Sequence, residues 1–164
     1  MTEPGPAPTM ERVRSRREMP AGSLSPSRAK WIDAVLAGLV LFDASLAAWA
    51  FFLPDFWFRA FHGTAYDDPQ GFLRRCAANW AAFALIQLAA LLLWRKNPHG
   101  LAVAAGARLS DVFTDWTYLA FAQDITWFGR ASLACASPAN ALLGWWLLRA
   151  WRQAGGRESG PADK

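Results

Sequence analysis

The sequence predicts an all-α membrane protein: a four-transmembrane-helix bundle running up-down-up-down, with both termini cytoplasmic. Three observations predict it. Four apolar blocks of about 19–24 residues punctuate the chain, and a helix needs roughly 20 residues to cross a hydrocarbon core of about 30 Å. The blocks lack the alternating or one-sided pattern that a water-soluble core imposes. Basic residues also divide unequally between alternate connections, as the positive-inside rule requires of a multi-pass protein. Composition agrees, with 54% hydrophobic residues, 10 Trp and 11 Phe among 164.

Residues 1–30 are rich in Pro, Ser and Arg and are expected to form a disordered basic tail. The cluster Arg12 to Arg17 reads first as a solvated tail and second as a contact for anionic lipid. About thirty polar residues precede the first apolar run, and that run is long enough to span. It therefore reads as a retained membrane helix rather than a signal peptide. The transmembrane domain is expected over residues 31–152, with spans 31–53, 76–94, 99–122 and 131–151. Residues 153–164 form a second polar, disordered tail.

Span one carries Asp33 near its inner mouth and Asp43 near its middle. Its small residues Ala34, Gly38, Ala44 and Ala48 suit close helix packing. Pro54 ends it. The aromatic stretch 54–63 suits a segment lying at headgroup level. Asp68-Pro69 has the form of a helix start, with Asp as N-cap and Pro in the first turn. Span two is the cleanest, with Asn79 and Gln87 as its polar side chains, and Arg95 to Gly100 makes a tight hairpin into span three. In span four, Ser137, Pro138 and Asn140 lie in the outer half and predict a kink, while Trp145, Trp146 and Trp151 approach the inner interface.

The net charge of +4 does not indicate nucleic acid, because the basic residues flank the spans. With the N-terminus inside, twelve Lys and Arg fall on the inner side and four (Arg59, Arg74, Arg75 and Arg130) on the outer side. Cys76 and Cys135 lie near the outer ends of spans two and four and read as unrelated cysteines. With no Cys-x-x-Cys pair, the chain lacks the chemistry of a quinone-reducing thiol oxidoreductase. The two histidines, His62 and His99, fall on opposite sides, which argues against a bis-histidine haem inside the bundle. His62 with Asp67 and Asp68 is a loose grouping that reads as an exposed loop, and no metal site is expected. No internal repeat is visible, against an inverted-repeat transporter.

The chemistry concentrates in span three. Arg108, Asp111 and Asp115 stand at i, i+3 and i+7 and share one helical face. Gly106 and Ala102 form a small-residue pair beside them. A charge at bilayer depth costs roughly 2.5–3.5 kcal/mol and faces protein or a water-filled cavity. By count from each mouth, Asp43, Arg108, Asp111 and Asn140 lie near mid-bilayer, with Asp115 and Asn79 somewhat further out. These six are the candidate ligand-binding residues, and Asp43, Asp111 and Asp115 the candidate catalytic ones. Three readings stay open: a structural ion network, a pocket open to the outer leaflet for a lipophilic or quinone-like molecule, and a proton or ion path.

The run Ala105-Gly106-Ala107-Arg108-Leu109, with Leu73-Arg74-Arg75 leading into span two, resembles the DoxX-like superfamily of small four-helix bacterial membrane proteins. The resemblance covers roughly residues 31–151. The chain departs from the family pattern at Ala77-Ala78-Asn79 and at Asn140, where some relatives carry an acid. The resemblance implies a bacterial inner-membrane protein linked to quinone or respiratory redox systems, in some cases as a subunit of a larger complex. Together these readings lead to an accessory or binding subunit in contact with the lipid bilayer and with other membrane subunits or further copies of itself. Quinone or bound lipid is the expected cofactor class. The alternative is an intramembrane acid/base enzyme acting on a lipophilic substrate, with a proton-coupled transporter third.

Overall fold

The computed structural model describes residues 24–155, and the expected tails at 1–23 and 156–164, including the Arg12 to Arg17 cluster, lie outside the described residues. It is all-helical: α1 (Pro26–Phe52), α2 (Pro54–His62), α3 (Phe72–Leu93), α4 (His99–Phe121) and α5 (Trp127–Gly155). Helices α1, α3 and α5 are long and apolar enough to cross a membrane. Helix α4 has 23 residues but carries Arg108, Asp111 and Asp115.

Three helices outrun the apolar pattern, α3 by starting at Phe72 rather than Cys76. Helix α1 begins at Pro26, not Trp31, because Ser25 Oγ accepts from the Arg28 amide and Pro26 sits in the first turn. Residues 26–30 are therefore helical rather than part of a disordered tail. Helix α5 likewise extends to Gly155, into the expected C-terminal tail, and continues through Pro138.

The connection after α1 holds a helix of its own. In α2, Trp57 and Phe61 turn inward while Asp55 and Arg59 pair at 3.0 Å on the exposed side. Leu73 and Ala77 of α3 and Ala50 of α1 complete this core. The Asp68-Pro69 pair does not start α3 directly. Gly71, at φ 72°, lets the chain turn into the helix at Phe72, and Asp68 reaches over the turn to accept from the Phe72 and Leu73 amides at 2.9 and 2.8 Å. It thus serves donors that a helix N-terminus leaves unpaired.

Loss of hydration pushes the Asp68 carboxyl up. The Leu73 and Phe72 amides, the Tyr66 hydroxyl and the Gly71 amide outweigh that and hold it below its ordinary value of 3.8. A depressed carboxyl contributes fully above its unfolded value and is lost as pH falls through its lower folded value. Hydrogen exchange is expected to show Phe72 and Leu73 amide protection at neutral pH that disappears on acidification below about 3.8. Asp68→Asn should lower that protection at neutral pH and flatten its pH dependence.

The long helices alternate in direction. Asp33 near the start of α1 accepts from Trp94 Nε1 and pairs with Arg95 beyond the end of α3, at 2.9 and 2.5 Å. His99 at the start of α4 lies 6.0 Å from Trp151 near the end of α5. Helix α1 packs mainly on α3, and α4 on α5. A core of Ile32, Leu36, Ala90, Leu101, Ala104 and Leu147 joins all four at the end where α1 starts. At the other end Thr126 ties α5 to α2: its amide and hydroxyl donate to Phe61 O at 2.8 Å and Ala60 O at 2.6 Å.

The expected packing stripe of α1 is reversed. Ala34, Gly38, Ala44 and Ala48 are exposed, whereas Ile32, Leu36, Leu39, Asp43, Ala47 and Ala50 face inward. Gly106 is also exposed, with nothing within 4 Å of the point where a Cβ would sit, and close packing of α4 on α5 occurs instead at Gly144. The outward surface is strongly apolar, with Leu41 at 69%, Phe113 at 74% and Leu142 at 67% exposure. The most deeply buried polar groups, Asp43, Gln87, Arg108 and Ser137, lie inside. Apolar outside and polar inside is the distribution a lipid solvent favours.

Candidate functional site

The shared face on α4 becomes a buried network centred on Arg108. Its guanidinium Nη2 donates to Asp43 Oδ2 of α1 at 2.5 Å and pairs with Asp111 Oδ2, one turn along its own helix, at 3.1 Å. Nη1 reaches Asn140 Oδ1 of α5 at 3.4 Å. Gln87 of α3 donates through Nε2 to the same Asp43 oxygen at 2.8 Å. All four long helices thus contribute one group or more. Phe83 of α3 lies 5.7 Å from the guanidinium carbon and covers its face.

Asp43, Arg108, Asp111 and Asn140 come together as their residue counts predict. Gln87 joins them although it is not one of the six candidates. A single glutamine in a long apolar helix signals it, since an amide in lipid must find a partner. Ser137, one turn of α5 from Asn140, is fully buried with its hydroxyl unpartnered, and it too lies outside the six.

Asp115 and Asn79 lie further toward α2, with Asp115 still within reach of the Asn140 side chain. With Asp111 they line a cavity of about 510 Å³ between α2, α3, α4 and the start of α5. Trp57, Phe58 and Phe61 from α2 and Trp80 and Phe83 from α3 form much of its wall. Trp57 stacks on Phe61 at 4.4 Å and meets Trp80 at 5.1 Å, so the wall is a continuous aromatic surface. A volume near 500 Å³, mostly apolar with a few polar groups, is in the usual range for a small-molecule site. A second, more open cleft of about 680 Å³ lies at the opposite end, between Arg28 and Trp31 of α1 and Trp145 and Trp146 of α5, away from the Arg108 network.

His62, read from sequence as part of an exposed loop, borders the cavity. Its Nδ1 lies 2.7 Å from the Asp124 carbonyl, an acceptor, so Nδ1 carries a proton. Nε2, 2.7 Å from the Tyr118 hydroxyl, then accepts from it in the neutral ring. Only folding brings residues 62, 118 and 124 together. Asp67 and Asp68 also line this region, but among the described residues no group of three His, Cys, Asp or Glu is placed to hold a metal ion. Cys76 and Cys135 are free and exposed.

The arrangement has two parts: a buried ion network that joins the helices, in which Asp43 Oδ1, Gln87 Oε1 and Arg108 Nε have no hydrogen-bond partner, and beside it an aromatic cavity whose floor carries the far side of the same α4 stripe. The first suits positioning. The second can hold a molecule with an apolar body and a polar head. No family model, curated protein or solved structure matches the chain, so the site's own chemistry carries the functional reading.

Proposed function

We propose that this chain is a four-span bacterial inner-membrane protein, both termini cytoplasmic, that binds a lipophilic lipid- or quinone-like molecule as an accessory subunit of a larger membrane complex. The observation that carries the reading is the 510 Å³ cavity, aromatic on its walls and carboxylate-lined at Asp111 and Asp115. Inward burial of Arg108 and Asp111 supports α4 as the fourth span, because it leaves Val103 and Phe113 on the outer surface. The excess of inner-side Lys and Arg supports the orientation. The DoxX-like motif around Arg108 supports the redox-linked setting.

Purification in mild detergent tests it. Mass spectrometry is expected to find a co-purifying lipid or quinone together with partner membrane proteins. A monomeric protein free of both would overturn the proposal.

A second reading draws on Tyr118 and His62 bordering a cavity that also holds Asp111 and Asp115 among its carboxylates: an intramembrane enzyme doing acid/base work on a lipophilic substrate. Asp111→Asn and Asp115→Asn separate the readings. An enzyme loses turnover by roughly a hundredfold or more while remaining assembled. A purely structural carboxylate instead lowers expression and melting temperature.

A further inference from the structure

The charge inventory of the cavity is one-sided. Four carboxylates line it, Asp67, Asp68, Asp111 and Asp115, and among the described residues no Lys or Arg does. Asp68 is committed to the Phe72 and Leu73 amides. Asp111, 8% exposed, gives Oδ2 to Arg108, but that guanidinium is shared with Asp43 and Asn140. Asp115 has no ion pair among the described residues; Asn140 lies within reach of its carboxyl, but its Oδ2 is buried without a hydrogen-bond partner. One guanidinium therefore faces three carboxylates.

The uncommitted donors are neutral, the side-chain amides of Gln70 and Asn79 and the indoles of Trp57 and Trp80. The Tyr118 hydroxyl goes to His62 and the Thr114 hydroxyl to the Asp111 carbonyl. An anionic head group meets carboxylates and no lining cation here, and one that only accepts hydrogen bonds finds neutral donors alone. A cationic donor is complementary twice over. It gains charge-assisted hydrogen bonds to carboxylates, and aromatic faces attract it.

Resting on the cavity reading above and narrowing it, we infer that the cavity takes a lipophilic cation, an ammonium group seated between Asp111, Asp115 and the aromatic wall of Trp57 and Trp80, with its apolar body against Phe83 and Leu133. A long-chain amine and the amine head of a bilayer lipid share this chemistry.

The test uses the full chain in mild detergent with three probes of equal chain length, hexadecylamine, hexadecanol and hexadecanoate, at equal mole fraction in the micelle. Native mass spectrometry reads retention and thermal unfolding reads stabilisation. Hexadecylamine is expected to be retained at least roughly tenfold better than the alcohol, as one charge-assisted hydrogen bond warrants. Asp115→Asn and Asp111→Asn should each reduce that preference, while Asp33→Asn, at the opposite end of the bundle, leaves it unchanged. The wild-type comparison of probes stands even where a variant fails to fold. Equal retention of alcohol and amine, or preference for hexadecanoate, overturns the cationic assignment and leaves the cavity reading standing. Retention of none of the three overturns both. Reconstitution in phosphatidylethanolamine or phosphatidylglycerol nanodiscs then assigns the source. A retained ethanolamine lipid places the cation in the bilayer, and amine retention without it places the cation among free lipophilic amines.

Discussion

Arg108→Met is expected to be the most damaging single substitution in the chain, costing about 3–5 kcal/mol and most of the folded yield. Arg108 is 1% exposed and is the shared partner of Asp43, Asp111 and Asn140. Removing it leaves Asp43 fully buried beside Asp111 with only the Gln87 amide to offset either charge. The cost belongs to the abandoned carboxylates more than to the lost bonds, because an uncompensated buried charge is worse than none. A double variant separates the two. Asp43→Asn combined with Arg108→Met should recover a large part of the loss, since both members of the closest pair become neutral together. Thermal unfolding of the four proteins of this cycle in one detergent checks it, and additive losses would show that Asp43 and Arg108 are not coupled.

Gly144→Val is expected to separate α4 from α5. A Cβ at Gly144 would lie 2.8 Å from Leu109 Cγ and 3.3 Å from the Ala105 carbonyl, so a backbone as well as a side chain must give way. Gly144→Ala should cost about 1–3 kcal/mol, the usual range for overpacking, and the branched Val more. Small residues carry helix association in lipid because contact there depends on close packing rather than on expelling water. Gly38→Ala serves as the contrast. Nothing lies within 4 Å of its Cβ position, and its melting temperature should be unchanged or slightly higher. Melting temperatures of the three variants against the parent decide it, and a neutral Gly144→Val would show that the α4–α5 interface tolerates displacement.

These two glycines illustrate what the linear chain does and does not reveal. Gly38 sits in a tidy small-residue series, and Gly144 sits among tryptophans and leucines without one. The series faces outward and the isolated glycine faces a neighbour. In a helix apolar on every side, hydropathy carries no signal for rotation about the axis, and small residues mark either surface equally well. Charge carries that signal. Arg108, Asp111 and Asp115 define a face, and the need to keep charge away from lipid turns that face inward and brings Asp43 and Asn140 to it.

The cavity is less legible in the sequence. Its aromatic wall comes from α2, a segment read from sequence as lying at headgroup level, where Trp and Phe are expected as anchors. The hydrophobic demand of Trp57 and Phe61 is met instead by Trp80, Leu73 and Phe128, contacts set by how α2 folds back on the bundle. His62 gives no sign of its role, because its partners stand 56 and 62 positions away.

The sequence by itself determined the helical class, the places of the long helices to within a few residues, and the charged stripe of α4. All three follow from local quantities: length against bilayer thickness, run composition, and a 3.6-residue period. Tertiary structure alone decided that Asp43 rather than Asp115 closes on Arg108, that Gln87 joins them, and that Asp115 is left facing an aromatic cavity. Those outcomes depend on helix rotation and on the placement of α2, which short-range packing sets and residue spacing along one helix does not encode.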